Sequence, residues 1–136
     1  MTIDVRITID DAEVQRMLSR APRQIGSAFR AGLLDGALYI KRILTTYPPP
    51  PPNSTYRRTL TLGRSWFTRT IGSGLDTAVE IYSAGNMAPY NRKVQSRPEQ
   101  ARIHRGRWPT AQGVAEQSRQ QVTQFLVTRL QQALGR

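Results

Sequence analysis

The chain has 136 residues, the size of one domain, and a chain of that length folds without needing a metal or a disulfide. It contains no cysteine, which excludes thiolate catalysis, cysteine-based zinc sites and disulfides. Lysine and arginine outnumber the acidic residues by 20 to 9, and the formal net charge of +11 favours a polyanion or an acidic protein surface as the partner.

The first residues predict a strand followed by a short helix. From Ile3 to Ile9, isoleucine or valine alternates with polar residues, which is the period of a half-buried strand. Asp10 or Asp11 then occupies the N-cap position of a short helix. This end has no apolar core typical of a signal peptide, and no stretch reaches the ~18 apolar residues of a membrane span. We therefore expect a soluble, intracellular protein.

A long helix is predicted from Pro22 to Thr46. Proline is favoured in the first turn of a helix. Apolar residues then recur at helical spacing, namely Ile25, Phe29, Leu33, Gly36 or Ala37, Ile40, Ile43 or Leu44, and Tyr47. Gly32 and Gly36 either mark a close approach of another backbone or are tolerated glycines that each cost ~1 kcal/mol relative to alanine.

Residues 47–58 are predicted to form a proline-rich arm. Pro48–Pro52 cannot continue a helix, because proline lacks an N–H and fixes φ, and we expect a stiff polyproline II rod. Aromatic and basic residues follow it, and no acid occurs between Asp35 and Asp76. We predict that this arm and the basic segment after it make contacts between protein subunits. Residues 59–64 are expected to form one helical turn that Gly63 ends.

The second half of the sequence predicts a hairpin, a loop and a helix. Residues 66–71 and 77–83 are expected to pair around the turn Gly72-Ser73-Gly74. Residues 84–110 show no sustained period and are interpreted as a long, partly extended loop. An amphipathic helix follows, with Thr110 as its cap and Gly135 just past its end. The fold class is α+β, a single domain with helices on one face of a small antiparallel sheet whose edges are exposed.

No catalytic constellation is apparent. The single histidine, His104, has only Glu99 as a nearby carboxylate in sequence, whereas a general base needs an orienting partner and a metal site needs several ligands. The cluster Asp10-Asp11-x-Glu13 is explained by helix capping and the helix dipole. We therefore expect neither an enzyme nor a cofactor or metal site.

The charges are unevenly distributed. Four of the nine acids lie in the first fifteen residues, whereas residues 92–107 form a basic cluster that only Glu99 opposes in sequence. An acidic end and a basic middle suit head-to-tail contact between copies of one protein. The interleaving of basic and aromatic residues leaves an alternative open, a basic domain that binds single-stranded nucleic acid by stacking and phosphate contact.

Several short motifs together resemble a known family. They are Tyr47-Pro-Pro, Tyr56-Arg-Arg-Thr59, Leu62, Ser65-Trp66, a hairpin, Pro89-Tyr90 and Ile103-His104-x-Gly106-Arg107-Trp108. In this order they resemble the small tail-component proteins of lambda-like tailed phages, the minor tail protein Z type, described as tail-completion or head–tail joining (neck) proteins. The resemblance covers roughly residues 20–135. One departure is Leu60, where the family form Arg-Arg-Thr-Gly has glycine.

The resemblance implies a virion structural protein that forms a ring around the DNA channel of the neck or tail. Its expected partners are further copies of itself, in a hexamer or a dodecamer, and other neck, connector and tail-tube proteins, with non-specific contact to DNA in the channel and none to a membrane. The expected location is the virion, assembled in the host cytoplasm, and no catalytic residue is implied. We predict these subunit and partner interface residues: Tyr56, Arg57, Arg58, Arg64, Trp66, Tyr90, His104, Arg107 and Trp108.

Overall fold

The protein is an α+β domain, as the sequence predicts. The computed structural model describes residues 3–7, 25–50, 52–53 and 60–135. Its elements in chain order are β1 (Ile3–Ile7), α1 (Gly26–Leu44), α2 (Thr61–Arg64), β2 (Trp66–Ile71), β3 (Ala78–Ser83), α3 (Asn91–Gln95) and α4 (Ala111–Ala133). The predicted short helix after Asp11 lies outside the described residues.

The three strands form an antiparallel sheet in the order β1-β3-β2. In its register Ile3 lies opposite Ser83 on β3, and Trp66 of β2 lies opposite the same residue from the other side. The predicted hairpin is therefore confirmed, and a 3-10 turn at Gly74–Asp76 completes its connection. Gly72 has φ +78°, and a Cβ there would lie 2.4 Å from the carbonyl oxygen of Asp76, so this turn requires glycine.

Helix α1 is the long helix that the apolar spacing predicts, and it ends at Leu44, two residues earlier than expected. Its buried side consists of Phe29, Gly32, Leu33, Gly36, Ala37, Ile40 and Leu44. It packs against α4, which begins after the predicted cap: Thr110 Oγ1 accepts a hydrogen bond of 3.1 Å from the Gly113 N–H. Gly135, just past α4, has φ +72°, which is usual after a helix end.

Gly32 and Gly36 mark a close approach, which was one of the two interpretations of this pair. A Cβ on Gly32 would lie 2.9 Å from Leu126 Cα, and one on Gly36 would lie 2.7 Å from Val122 Cγ1. Real Cβ atoms do not approach so closely, so both positions are small because α4 crosses α1 there.

Within the described residues, an apolar core joins α1, the sheet and α4. It contains Ile25, Phe29, Leu33, Ala37, Ile40, Leu44, Trp66, Val79, Ile81, Ala111, Val114, Val122, Leu126 and Leu130. Fully burying one leucine or isoleucine of this cluster contributes about 1.5–3 kcal/mol to folding. The core thus fixes the end of α1, where the proline arm begins.

Two predictions about irregular segments were wrong in part. Residues 84–110 contain the helix α3 and a 3-10 turn at Arg102–His104, because buried polar side chains attach this segment to the core. Gly63 does not end the helical turn α2, which continues to Arg64. Of the proline arm, only residues 47–50 and 52–53 are described.

Candidate interaction surface

The base of the proline arm is clamped between two other segments. Tyr47 packs its ring edge-on against Trp108, with 5.2 Å between the ring centroids. The Tyr47 hydroxyl accepts a hydrogen bond of 2.8 Å from the Gly63 N–H. Edge-to-face pairs of this kind contribute ~0.5–1.5 kcal/mol beyond the area that they bury. Tyr47 therefore connects the arm, the turn α2 and the loop before α4.

A buried polar network attaches the neighbouring segments to the same region. Gln95 Oε1 accepts a hydrogen bond of 3.0 Å from Trp66 Nε1, and Gln95 Nε2 donates one of 3.1 Å to the Leu44 carbonyl. Asn91 Nδ2 donates to Ser83 Oγ at 2.8 Å. These side chains are buried, and losing the partner of one of these hydrogen bonds would cost about 1–3 kcal/mol, so the network favours this arrangement of α1, β2, β3 and α3 although Asn91 Oδ1 has no partner among the described residues.

Residues 101–108, which we call the basic loop, are held by several short-range hydrogen bonds. The N–H groups of Arg107 and Trp108 donate to the His104 carbonyl at 3.1 and 3.0 Å. Gln100 Nε2 donates to the Trp108 carbonyl at 3.0 Å and to the Val94 carbonyl at 2.8 Å. The loop is thus ordered by its own backbone and by the Tyr47–Trp108 contact.

The basic loop presents an isoleucine among arginines. Ile103 is 72% exposed, the largest value among the exposed large apolar side chains that the structure describes. Arg102, Arg105 and Arg107 are also exposed, and no ion pair joins them to a described carboxylate. An ordered loop with surplus positive charge and one exposed aliphatic side chain is suited to a partner surface that carries carboxylates.

Two other arginines of this region are paired. Arg92 forms a two-armed ion pair with Glu99, and Arg97 forms one with Glu116 of α4 at 2.8 and 2.9 Å. The hydrogen bonds from these guanidinium groups hold the pKa of Glu99 and the pKa of Glu116 below their ordinary value. Glu99 is the only acid that opposes the cluster in sequence, and the fold adds a second carboxylate by bringing Glu116 of α4 to Arg97.

His104 lies half-buried at the base of the basic loop. Burial, and then the charge of Arg107, lower the pKa of its imidazole, and Nδ1 is buried with no hydrogen-bond partner among the described residues. No described carboxylate orients the ring, so the geometry does not present a general base.

The predicted interface residues fall into four groups. His104, Arg107 and Trp108 lie together in the basic loop, while Arg64 and Tyr90 are exposed elsewhere. Tyr56, Arg57 and Arg58 lie outside the described residues. Trp66 is a correction: it is only 1% exposed and lies in the apolar core, bonded to Gln95, so it is not available to a partner while this fold is intact.

Three residues were missed as site residues. Tyr47 was assigned to the helix series, to the arm 47–58 and to the motif Tyr47-Pro-Pro, but it was given no role of its own as a site residue. Ile103 was quoted in a motif without a role. Nothing in the sequence around Gln95 indicates that its amide is buried, because that depends on three segments distant in sequence.

The described residues contain no group of three or more potential metal ligands. Within the same part of the chain, no helix is long and apolar enough to cross a membrane. Comparisons of the chain with protein-family models, with curated proteins and with solved structures found no match.

Proposed function

We propose that this chain is a structural protein of the neck or tail of a tailed phage, a tail-completion or head–tail joining subunit. It acts without catalysis, as one copy of a ring around the DNA channel, and its partners are further copies and the adjoining neck, connector and tail-tube proteins. The virion is its proposed location.

The observation that best supports this proposal is the clamp at the base of the arm. The family resemblance rests on separate short motifs, and side chains of two of them meet in the fold: Tyr47 contacts Trp108, and its hydroxyl accepts a hydrogen bond from the backbone N–H of Gly63, the residue after Leu62. Because residues from separate motifs contact each other here, we infer that these motifs act together. Their contact holds the base of the arm and the arginine-bearing loop in fixed positions.

The charge of the basic loop supports a joining role. Arg102, Arg105 and Arg107 are exposed and have no described ion-pair partner, and arginine forms two-armed hydrogen bonds with carboxylates. Such a surface steers an acidic protein surface into contact and fixes its orientation.

The test is joining of phage heads to tails in a lysate that lacks this protein. Replacing Arg102, Arg105 and Arg107 together by alanine is expected to leave the subunit folded and to reduce joined particles at least tenfold. A matched control replaces Arg30, Arg42 and Arg119, which removes the same charge from the helices α1 and α4 and is expected to keep joining. Equal joining by both triple variants would contradict the proposal.

The same pair of variants tests the nucleic-acid alternative. If the chain acts by binding DNA through its net charge, both variants should weaken DNA affinity similarly, and log affinity should fall steeply with log salt concentration. A DNA affinity that responds to neither variant nor salt excludes that alternative.

A further inference from the structure

Ile103 is an exposed aliphatic residue in a segment whose backbone is hydrogen-bonded on both sides of it. Its side chain is 72% exposed, and it is the middle residue of the 3-10 turn Arg102–His104. The His104 N–H donates to the Ala101 carbonyl at 2.9 Å, and the Arg105 N–H donates to the Arg102 carbonyl at 3.3 Å. A side chain this exposed contributes little to the apolar core, so packing within the chain does not explain an isoleucine here.

Both ends of the basic loop are fixed to other parts of the fold. At one end the Ala101 N–H donates to the Lys93 carbonyl at 2.7 Å, and at the other end the Trp108 ring packs against Tyr47. Between them Gly106 has φ +75°, a left-handed conformation that glycine adopts without strain. A surface that is already ordered loses little conformational freedom when a partner binds to it.

Arginines lie on both sides of Ile103 in the chain, and no described carboxylate neutralises them. Arg102 directly precedes Ile103, and Arg105 and Arg107 follow it. All three are exposed, and the ion pairs among the described residues involve other arginines. Protein interfaces have an apolar centre and a polar rim, and arginine is enriched in them. The surface that fits this loop therefore has an apolar depression bordered by carboxylates.

The aliphatic side chain favours a protein over a nucleic acid as this partner. A phosphate backbone attracts arginines but offers no apolar surface to Ile103. Proteins that bind single strands use aromatic rings on which the bases stack. The aromatic ring of this loop, Trp108, is instead packed edge-on against Tyr47 and is only partly exposed.

The described surface of a second copy matches such a partner poorly. Four of the five acids between residues 25 and 135 form ion pairs with arginines of their own chain, namely Asp35, Glu80, Glu99 and Glu116. Among these five, only Asp76 forms no ion pair with a described residue. One carboxylate does not match three arginines, so we assign the partner surface to a different protein.

We propose that Ile103 is the anchor of the basic loop and inserts into an apolar depression on an acidic surface of a different protein. The three arginines of the loop pair with the carboxylates around that depression. This inference rests on the proposed joining function and names the chemistry of the partner surface. The arginines then govern the rate of association, whereas burial of Ile103 governs the lifetime of the complex.

Two synthetic peptides test the anchor without phage particles. Both carry the same number of glutamates in a helical sequence, and one has leucines along one face where the other has serines. Fluorescence anisotropy gives the dissociation constant of each peptide with the full chain. We expect the wild type to bind the leucine peptide about tenfold more tightly, because contact between Ile103 and leucine removes apolar surface from water.

Ile103→Ala is expected to abolish this preference and to leave the affinity for the serine peptide unchanged. Ile103→Leu retains an aliphatic side chain and should retain the preference. Ile71→Ala is the matched control, because it makes the same change at another exposed isoleucine. Replacing Arg102, Arg105 and Arg107 by alanine should weaken the binding of both peptides and flatten its dependence on salt.

Three results would overturn the proposal. The first is equal affinity of the wild type for both peptides, or a preference that persists in Ile103→Ala. The second is a short DNA duplex that binds more tightly than the leucine peptide and loses affinity in Ile103→Ala, because the partner is then a nucleic acid. The third is a change in the copy number of the isolated protein in Ile103→Ala, measured by native mass spectrometry, because the contact then joins copies of this chain.

The joining assay separates this inference from the proposed function. Ile103→Ala is expected to reduce joined particles, as the triple arginine variant does, while Ile71→Ala keeps joining. If the arginine variant loses joining and Ile103→Ala does not, this inference fails and the proposed function stands. If the peptides behave as expected but the wild type never restores joining, the proposed function fails alone.

Discussion

Leu60 has a backbone conformation that suits glycine better than leucine. It precedes the turn α2 with φ +64°, and it is 51% exposed. A Cβ in this left-handed region costs roughly 1–2 kcal/mol. Glycine adopts this conformation without strain, so Leu60 keeps the turn in place but adds strain to it.

We expect Leu60→Gly to stabilise the protein by ~0.5 kcal/mol, because the relief of strain exceeds the extra entropy of glycine in the unfolded chain. The measurement is the urea midpoint of unfolding. Leu60→Ala is the control: it retains a Cβ and should show no gain. A glycine variant that unfolds at lower urea than the alanine variant would contradict this explanation.

His104 makes stability depend on pH near neutrality. Its imidazole is the only one in the chain, and burial lowers its pKa in the folded state. In the unfolded chain the pKa of histidine is about 6.5, so below that pH the unfolded state binds more protons. Stability from this residue is fully present above pH ~6.5 and is lost as the pH falls towards the lower folded-state pKa.

We therefore expect the free energy of unfolding to decrease between pH 7 and pH 5 and this slope to become flatter in His104→Gln. Urea titrations at half-unit pH intervals measure the free energy of unfolding, and its change with pH gives this slope. The carboxylates Glu99 and Glu116, whose pKa values are lowered, act at more acidic pH and leave this window unchanged. An identical slope in the variant would show that His104 is not the titrating group.

At the scale of elements, the contact between α1 and α4 depends on two glycines. Gly32 faces the backbone of Leu126, while Gly36 faces only the side chain of Val122. A smaller residue at 122 would therefore make room for a larger residue at 36. No side-chain substitution removes the backbone of Leu126 that faces Gly32.

We expect Gly36→Ala to destabilise the protein by about 1 kcal/mol, because overpacking costs ~1–3 kcal/mol and the higher helix propensity of alanine offsets part of it. In a Val122→Ala background the same change should become neutral or stabilising, since the facing methyl groups are gone. Four urea midpoints complete this double-mutant cycle. If Gly36→Ala lowers the free energy of unfolding equally in the wild type and in the Val122→Ala background, Val122 is not the residue with which the added methyl group clashes.

The elements with a sustained apolar period were predictable from sequence. The apolar spacing of α1 and the alternation in β3 express burial directly, and the strands, the hairpin and both long helices were recovered. The segment 84–110 was not, because α3 is stabilised by the buried amides of Asn91 and Gln95. Likewise, Trp66 was assigned to an interface because sequence alone does not distinguish a core tryptophan from an interface anchor.

At the scale of the whole molecule, most described carboxylates are already paired within the chain. From Asp35 to Glu116 there are five acids, and all except Asp76 form ion pairs, with Arg129, Arg69, Arg92 and Arg97. The exposed pair Arg97–Glu116 contributes little to stability, whereas the carboxylate of Glu80 is buried beside Arg69. Their larger effect is that no described carboxylate neutralises Arg102, Arg105 and Arg107, so the basic loop is a concentrated positive surface.

The strand order also dictates a sequence of events during synthesis. β1 pairs only with β3 among the described strands, and Ile7 meets Val79, which the ribosome adds 72 residues later. Contacts that distant in the chain form slowly, because a large loop must close first. During synthesis, β1 therefore remains without its sheet neighbour until the hairpin has left the ribosome. We expect nascent chains arrested before residue 83 to expose β1 to proteases and chaperones.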